Sequence, residues 1–283
     1  MIRDPFKIDG PTCISFSGGR TSAYMLWRVL ESNGGLPADT HVIFANTGKE
    51  AEQTLRFVDN CSWRWSVPVV WVEYRTEKPG FVIVDFGKAS RNGEPFAALI
   101  KARNYLPNPV ARFCTVELKI LRAVDVMRSR GYDEHDNLVG FRADEPRRVA
   151  KISADPSGGT KGVERFAPLA VAGITKHDIA RFWKVQPFDL ALSNDGGVTP
   201  DGNCDLCFLK HSKQILSAIA KTPNKAVWWI GQEGQIDNPK VTGGGYFRND
   251  RPSYAQMAAY AAAQTDAFGH DDEEETIACF CGD

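Results

Sequence analysis

An eight-residue stretch near the amino end, residues 15–22, has the composition of an anion-binding turn. It reads Ser-Phe-Ser-Gly-Gly-Arg-Thr-Ser. Glycines let backbone N–H groups approach an oxyanion, hydroxyl side chains add donors, and the positive end of a helix dipole favours negative charge. The chemistry expected of such a turn is the binding of a phosphate or sulfate group. The competing interpretation is an ordinary glycine turn between two core elements.

A group of arginines farther along the chain could bind a second anion. Arg142, Arg147 and Arg148 follow an apolar, strand-like run. A guanidinium group can bind phosphate or sulfate with two parallel hydrogen bonds, which suits an anionic substrate. The alternative is a solvated, charged turn in which these arginines pair with Asp144 and Glu145.

The cysteines form a third group with chemical potential. Cys204 and Cys207 make a C-x-x-C motif, and Cys114 lies 204 − 114 = 90 positions earlier. Such thiols could hold an iron–sulfur cluster, hold structural zinc with a thiol from the tail, act as a redox pair, or pack in the core. Cys279 and Cys281 in the acidic tail could be ligands, a mobile nucleophile or part of a disordered end.

Alternating strand and helix patterns predict the elements that must position these groups. Strands are predicted at about 12–14, 41–46, 68–74 and 137–141, and helices at 23–30, 50–65, 117–131, 179–184 and 209–220. This order predicts an α/β fold with a doubly wound, mostly parallel sheet. Ligands of such sheets bind beyond the carboxyl ends of the strands. Ser17-Gly18-Gly19 and Asn46-Thr47-Gly48 both follow strands, although a plain turn also explains the second segment.

The length of 283 residues is enough for one large α/β domain with appendages. We predict a main domain over 1–220 with an irregular insertion or lid at 75–111. A cysteine-bearing C-terminal extension is predicted to be helical over 221–265, and an acidic, mobile tail with a Cys-x-Cys motif to occupy 266–283. The start of the helix near Leu209 would place the C-x-x-C at a positive dipole end.

Composition restricts the classes of function. The net charge of −1 argues against a protein that coats nucleic acid, and no apolar stretch is long enough to cross a membrane. The N-terminus lacks the apolar core of a secretion signal. Seven cysteines, an odd number, fit a reducing compartment better than a disulfide scaffold, so we expect a cytoplasmic protein.

Taken in order, these motifs resemble those of the phosphoadenosine phosphosulfate (PAPS) reductase-like family of the PP-loop ATP pyrophosphatase superfamily. The resemblance covers about residues 10–215. It rests on four segments: residues 15–22, Phe44-Ala45-Asn46-Thr47-Gly48-Lys49-Glu50, Gly140-Phe141-Arg142-Ala143-Asp144-Glu145 with Arg147 or Arg148, and Arg112-Phe113-Cys114-Thr115 followed by Lys119. It implies an adenine nucleotide alpha hydrolase-like fold.

The resemblance also implies roles for individual residues. The nucleotide would be bound by Ser15, Ser17, Gly18, Gly19, Arg20, Thr21, Ser22, Asn46, Thr47 and Gly48. The anionic part of the substrate would be contacted by Arg142 and Arg147. An iron–sulfur cluster, with zinc as the alternative, would be held by Cys114, Cys204, Cys207 and Cys281. ATP or a related adenine nucleotide is the implied cofactor, and its phosphates would recruit Mg²⁺.

Two departures from the family pattern bear on the reaction. Thr21 stands where many such loops carry aspartate, and the tail Cys279-Phe280-Cys281-Gly282-Asp283 differs from the Glu-Cys-Gly-x-His tail of the assimilatory reductases. The leading prediction is therefore an enzyme that adenylylates an acceptor, which then receives sulfur. The alternatives are a sulfonucleotide (PAPS or APS) reductase and a non-catalytic nucleotide-binding regulator.

Several partners stay open at this point. The sulfur donor or reductant is unknown, and the acceptor could be tRNA, DNA or a small metabolite. Assembly as a homodimer is also left open, and no membrane partner is expected.

Overall fold

The computed structural model describes residues 4–194, 199–236 and 245–263. The strands are β1 (Thr12–Ser15), β2 (Thr40–Ala45), β3 (Val69–Tyr74), β4 (Phe81–Val84), β5 (His135–Leu138) and β6 (Val163–Phe166). The helices of the first half are α1 (Arg20–Asn33), α2 (Glu52–Arg64), α3 (Glu94–Arg103), the short α4 (Phe113–Thr115) and α5 (Leu121–Ser129), with a π turn (Val116–Ile120) between α4 and α5. The helices of the second half are α6 (Pro146–Ala154), α7 (Pro168–Val171), α8 (Lys176–Lys184), α9 (Ser212–Lys221), α10 (Lys225–Gln232) and α11 (Tyr254–Ala263).

The six strands form one mixed sheet in the order β4-β3-β2-β1-β5-β6. All neighbouring strands are parallel except β3 and β4, which are antiparallel. The predicted α/β fold with a mostly parallel sheet is thus confirmed. The strand order reverses beside β1, since the chain runs outwards through β2 to β4 and then returns to β5 on the other side. Ligands of α/β sheets commonly bind at such a switch point.

Alternating side chains of the central strands bury both faces of the sheet. Ile14 and Val42 pack in the larger core with residues of α1, α2 and α8. Cys13 and Ile43 point to the opposite face and pack with residues of α5. This two-residue period is what a strand covered on both faces requires.

A second core lies outside the sheet and unites segments that are far apart in sequence. It contains buried residues of α3, of the turn over 206–209, and of α9, α10 and α11. The segment 75–111, predicted to be irregular, instead holds β4 and α3. The predicted boundary after residue 220 runs through this core, because α9 precedes it while α10 and α11 follow it.

The starts of α8 and α9 are both capped by side chains. Thr175 and Asp178 form a capping box at the start of α8, which begins at Lys176, three residues before the predicted helix at 179–184. The helix after the C-x-x-C begins at Ser212 rather than near Leu209, and the Nδ1 of His211 caps it by accepting the N–H of Lys213 at 3.1 Å. The prediction that the C-x-x-C opens this helix was therefore wrong, and the helix dipole does not act directly on its thiols.

Within the described ranges, no helix has both the length and the apolar character needed to span a membrane.

Candidate functional site

The chain turns sharply between β1 and α1, and the resulting loop leaves helix donors unoccupied by side chains. Gly19 is the N-cap of α1, and no side chain of the described residues caps this helix start. The first N–H groups of any helix lack partners inside the helix. Ser22 stabilises the loop from within, because its Oγ accepts the Ser17 N–H at 3.2 Å and lies 2.9 Å from the Ser17 Oγ. The loop thus holds its shape while its donors stay available for an anion.

Gly18 is the residue that makes this turn sterically feasible. Its φ is +79°, a left-handed conformation that other residues rarely adopt. A Cβ at this position would lie 2.7 Å from the Cγ2 of Thr54 and 3.0 Å from the Cγ2 of Val58, both on α2. The loop therefore packs tightly against α2.

Arg20 contributes its backbone rather than its side chain to the loop surface. Its guanidinium donates two hydrogen bonds to Asp189, at 2.7 and 2.6 Å, and further bonds to the Leu192 carbonyl and the Thr199 hydroxyl. Burial alone would raise the pKa of Asp189, but the hydrogen bonds and charge of Arg20, together with hydrogen bonds from the Leu190 and Ala191 backbone, hold that pKa below its ordinary value. The Arg20 side chain thus ties the segment after residue 188 to the start of α1.

Arg142, one of the predicted anion-binding arginines, lies beside the loop. Its Nη1 donates to the Thr21 Oγ1 at 3.2 Å, and its Nε donates to Asp144 at 2.9 Å. Glu145 lies 3.6 Å from Nη1. Arg142 therefore pairs with the acidic residues of the turn and also contacts the loop, and its role in binding a substrate anion stays a prediction.

The other two arginines of the group take different positions. Arg148 pairs with Glu145 and lies over the Phe141 ring at 4.5 Å. Arg147 is exposed near the start of α6, and within the described part of the chain it makes no ion pair. The predicted catalytic role of Arg147 stays a prediction, and the structure does not place it against the loop.

A cleft with a cavity volume of about 90 Å³ lies beyond the strand ends at the switch point. Its lining consists of Ser15, Phe16, Ser17, Ser22, Ile43, Ala45, Thr115, Lys119, Ile120, Ala123, Asn137, Val139, Gly140, Phe141 and Arg165. Ser15 donates to the Asn137 Oδ1 at 2.8 Å, which joins the ends of β1 and β5. The cleft combines apolar walls with hydroxyl donors at one end, a pairing typical of ligand pockets.

The segment Asn46-Thr47-Gly48 is committed to internal hydrogen bonds. The Asn46 N–H donates to Val72, the Thr47 N–H to Glu50, and the Gly48 N–H to the side chain of Asn46. All three residues are buried. Contact with a nucleotide through this segment is left to its carbonyl oxygens and stays a prediction.

A chain of polar contacts connects the cleft with the C-x-x-C. Lys119, on the π turn, lines the cleft, and its Nζ lies 3.6 Å from the Oε1 of Glu50. Glu50 accepts the Thr47 hydroxyl at 2.8–2.9 Å, and the Thr47 Oγ1 lies 3.6 Å from the Cys204 Sγ. Glu50 and Cys204 also form a backbone bridge. π turns inside helices are frequent at functional sites.

The three described candidate ligands lie at one core. Cys207 is buried in the second core, and Cys114 and Cys204 pack against it. None of the three is in a disulfide. Burial lowers the pKa of Lys210, a change that the nearby Cys207 and Cys204 oppose. Cys114 and Cys204, which are 90 positions apart in the sequence, thus lie against the same core.

No group of three or more His, Cys, Asp or Glu side chains in the ranges that the structure covers is arranged to hold a metal ion. Cys281, the predicted fourth ligand, and Cys279 lie outside the described residues. A cluster of several metal atoms spreads its thiolates farther apart than a single ion does, so the ligand assignment stays a prediction.

Sequence reasoning assigned no role to three residues that the site employs. Asn137 anchors Ser15, Glu50 connects Lys119 with Thr47, and Thr54 packs on Gly18. Glu50 ends one of the quoted family segments, so its position was a usable signal. Asn137 and Thr54 become visible only once β5 and α2 are placed beside the loop.

The fold and the site define an α/β protein with a glycine-rich loop and a neighbouring thiol pair at the carboxyl edge of its sheet. No protein-family model matches the chain. It is 32% identical over 211 residues to a protein of Escherichia phage lambda named "uncharacterized nin region protein ORF290", an alignment that covers 71% of this chain and 67% of that protein. The chain belongs to the family of this phage protein.

Proposed function

We propose that the protein is a PP-loop enzyme of the PAPS reductase-like kind that binds ATP or a related adenine nucleotide. An acceptor would attack the α-phosphate, forming a new bond to phosphorus while the bond to the β-phosphate oxygen breaks and pyrophosphate leaves. The adenylylated acceptor would then receive sulfur and release AMP. The observation that carries this proposal is the start of α1, which no side chain caps and which borders the cleft at the switch point.

The cleft suits the base of a nucleotide, and the loop suits its phosphates. Ile43, Ala45 and Val139 give the cleft apolar walls suited to a purine base. The loop donors and the helix dipole suit phosphates, and Arg142 adds a cation beside Thr21. Preorganised donors of this kind stabilise charge that develops on the pyrophosphate as it leaves.

Magnesium would accompany the phosphates, as it does in most ATP sites. The loop offers an incoming ion the hydroxyls of Ser17, Thr21 and Ser22 rather than a carboxylate. Mg²⁺ keeps several of its own water ligands when few protein oxygens are offered, so this donor set is compatible with it.

The sulfur chemistry is supported by the position of the thiols. Cys204 touches the loop after β2, and Cys114 lies one turn before the Lys119 segment that lines the cleft. An iron–sulfur cluster held by Cys114, Cys204 and Cys207 alone would leave one iron open to bind sulfide, whereas Cys281 as the fourth ligand would fill that position. Zinc at the same thiols is the alternative, and it would supply structure or thiolate activation instead.

Calorimetry and an exchange assay test the nucleotide part. Wild-type protein should bind ATP with Mg²⁺ and, given an acceptor, exchange labelled pyrophosphate into ATP. Arg142→Gln should weaken ATP binding about tenfold or more through loss of one charge-assisted contact. Arg181→Gln is the matched control, because this exposed arginine lies on α8 and only approaches Asp178 at 3.6 Å. Absence of ATP binding by the wild-type protein would refute the proposal, and sulfite release from a sulfonucleotide would assign reduction instead.

Anaerobic purification tests the metal part. Iron and sulfide with a brown colour are expected, and Cys204→Ala should lose both. Cys13→Ala is the control, because Cys13 is buried in the small core between the sheet and α5. Colourless wild-type protein with stoichiometric zinc would refute the cluster and leave the nucleotide proposal standing.

A further inference from the structure

Asp205, the first of the two residues between the cysteines of the C-x-x-C, is held from several directions. Its N–H donates to the Lys49 carbonyl at 2.8 Å, and its own carbonyl accepts the Lys210 Nζ at 3.0 Å. Its carboxylate forms an ion pair with the Lys49 Nζ at 3.0 Å and accepts the Trp229 Nε1–H at 2.8 Å. Each polar atom of Asp205 thus has a partner, which gives this residue one defined position.

Lys49 holds the other side of this ion pair. It directly follows Asn46-Thr47-Gly48 in the loop after β2, at the carboxyl edge of the sheet. Its Nζ lies 5.1 Å from the centre of the Trp228 ring, within the range of a cation–π contact. Gly93 leaves room for this packing, because a Cβ there would lie 2.5 Å from Trp228 and 2.8 Å from the Lys49 Cδ. The loop after β2, the C-x-x-C and α10 therefore meet at one ion pair.

Leu206, the second residue between the cysteines, is held by the second core. Its side chain is fully buried there, and its carbonyl accepts the Tyr254 hydroxyl at 2.5 Å. The backbone of Cys204 is bridged to Glu50 in the loop after β2. These contacts hold the chain beside each thiol, and they involve neither sulfur atom.

The ion pair between Lys49 and Asp205 is almost fully enclosed, with side chains that are 8% and 11% exposed. Moving two charges out of water costs about as much as their attraction returns, so a buried pair adds little net stability. It does favour one geometry, because each charge must meet its partner or stay unpaired in the core. A pair that joins the loop after β2 to the residue between two thiols is suited to fixing where those thiols lie.

We propose that Lys49 and Asp205 are positioning residues, which keep the C-x-x-C beside the loop after β2 whether or not a metal is bound. The proposal rests on the proposed metal role of the thiols and deepens it. Folding alone would then prepare the thiol pair, and a metal would bind to ligands that are already in place. Residues that orient metal ligands in this way typically change metal affinity about 10–100-fold when they are replaced.

A variant that combines Lys49→Met with Asp205→Asn tests the proposal. Asparagine keeps an oxygen for the Trp229 N–H, and neither charge of the pair is left alone, so the variant should unfold at the wild-type urea concentration or above it. Full-length protein, freed of metal by a chelator under anaerobic conditions, is titrated with Co²⁺, whose thiolate absorption reports ligation. The variant should bind Co²⁺ about tenfold more weakly than the wild type. Without Co²⁺, amide hydrogen exchange over 204–207, followed by mass spectrometry, should be about tenfold faster in the variant.

Arg122→Met combined with Asp125→Asn is the matched control. This ion pair, at 2.8 Å, is also largely buried, but it lies on α5, where Arg122 donates to the Gly80 carbonyl. The control should keep the wild-type Co²⁺ affinity and the wild-type exchange over 204–207.

Wild-type Co²⁺ affinity and exchange in the first variant would overturn the proposal. Rapid exchange over 204–207 in the metal-free wild type would also overturn it, as would equal effects in the control or faster exchange throughout the sheet. A wild-type protein with protected amides but no cobalt–thiolate absorption would instead refute the proposed metal role of the thiols, and the exchange rates of the variant would then decide the positioning role by themselves.

Discussion

Substitution of Gly18 by alanine tests the packing of the loop directly. The left-handed φ of +79° should cost about 1–2 kcal/mol for any residue with a Cβ. The new methyl would also lie 2.7 Å from the Thr54 Cγ2 and 3.2 Å from the Phe44 Cε2. Thr54 is β-branched and sits in a helix, so its side chain cannot easily rotate away. Overpacking of this kind costs about 1–3 kcal/mol, which gives a total of about 2–5 kcal/mol for Gly18→Ala.

Gly34→Ala separates the two contributions. Gly34 has a similar φ of +70°, yet nothing lies within 4 Å of its would-be Cβ. It should therefore lose only the conformational part, about 1–2 kcal/mol. Urea unfolding of both variants with an unchanged m-value measures the free energy of unfolding. If Gly18→Ala costs no more than Gly34→Ala, then the loop is not packed on α2 as described, and the geometry assigned to the anion site is wrong.

Three further outcomes follow from the charged and thiol groups. Because its pKa is lowered, the Asp189 carboxylate stabilises the fold at any pH above 3.8, its ordinary pKa. This stabilisation is lost as the pH falls through the lowered pKa. Asp189→Asn should thus flatten the acid limb of the unfolding free energy against pH, and an unchanged acid limb would contradict this. Glu73→Gln should destabilise the fold by roughly 1.5–3 kcal/mol in thermal unfolding, since the buried carboxylate accepts from Asn46 and twice from Ser90, and a wild-type melting curve would argue against it. Burial raises the pKa of Cys13 to about 12, so iodoacetamide should label this thiol only after unfolding, as mass spectrometry of the native protein would show.

The sequence predicted the parallel part of the sheet because buried parallel strands are apolar runs followed by turns. His41-Val42-Ile43-Phe44-Ala45-Asn46 is such a run, and β2 occupies Thr40–Ala45. Thr175 and Asp178 form the capping box of α8 over three residues, although the helix itself was predicted to begin at 179 rather than at Lys176. Local chemistry of this kind needs no knowledge of distant contacts.

Elements that depend on distant partners were missed. Phe81–Val84 is only four residues long and follows a Pro-Gly pair, so its pairing with β3 was hidden by a loop-like composition. Val163–Phe166 has two charged residues among four and becomes a strand because β5 offers it an edge. The helix after the C-x-x-C was extended too far back because apolar Leu209 belongs to the second core rather than to a helix face.

The residues of the candidate site also fall into two groups, those that local composition indicates and those that depend on distant contacts. Composition singled out the loop residues and Arg142 as candidates, since glycines, hydroxyls and guanidinium groups are typical of anion-binding sites. The internal engagement of Asn46 with Glu73 could not, because 27 residues separate the two partners. Thr54 escaped notice for the same reason, because its contact with Gly18 joins α2 to the loop.

The π turn at Val116–Ile120 makes the direction of Cys114 sensitive to chain length. Loss of one residue from this turn would restore a regular α-helix and swing everything before it about 100° around the helix axis relative to α5. The thiol would then face away from the core it now borders, although no cysteine had been replaced. Deletion of a single residue in the π turn would therefore remove the Cys114 thiol from its place beside the cleft as completely as a substitution of that cysteine would.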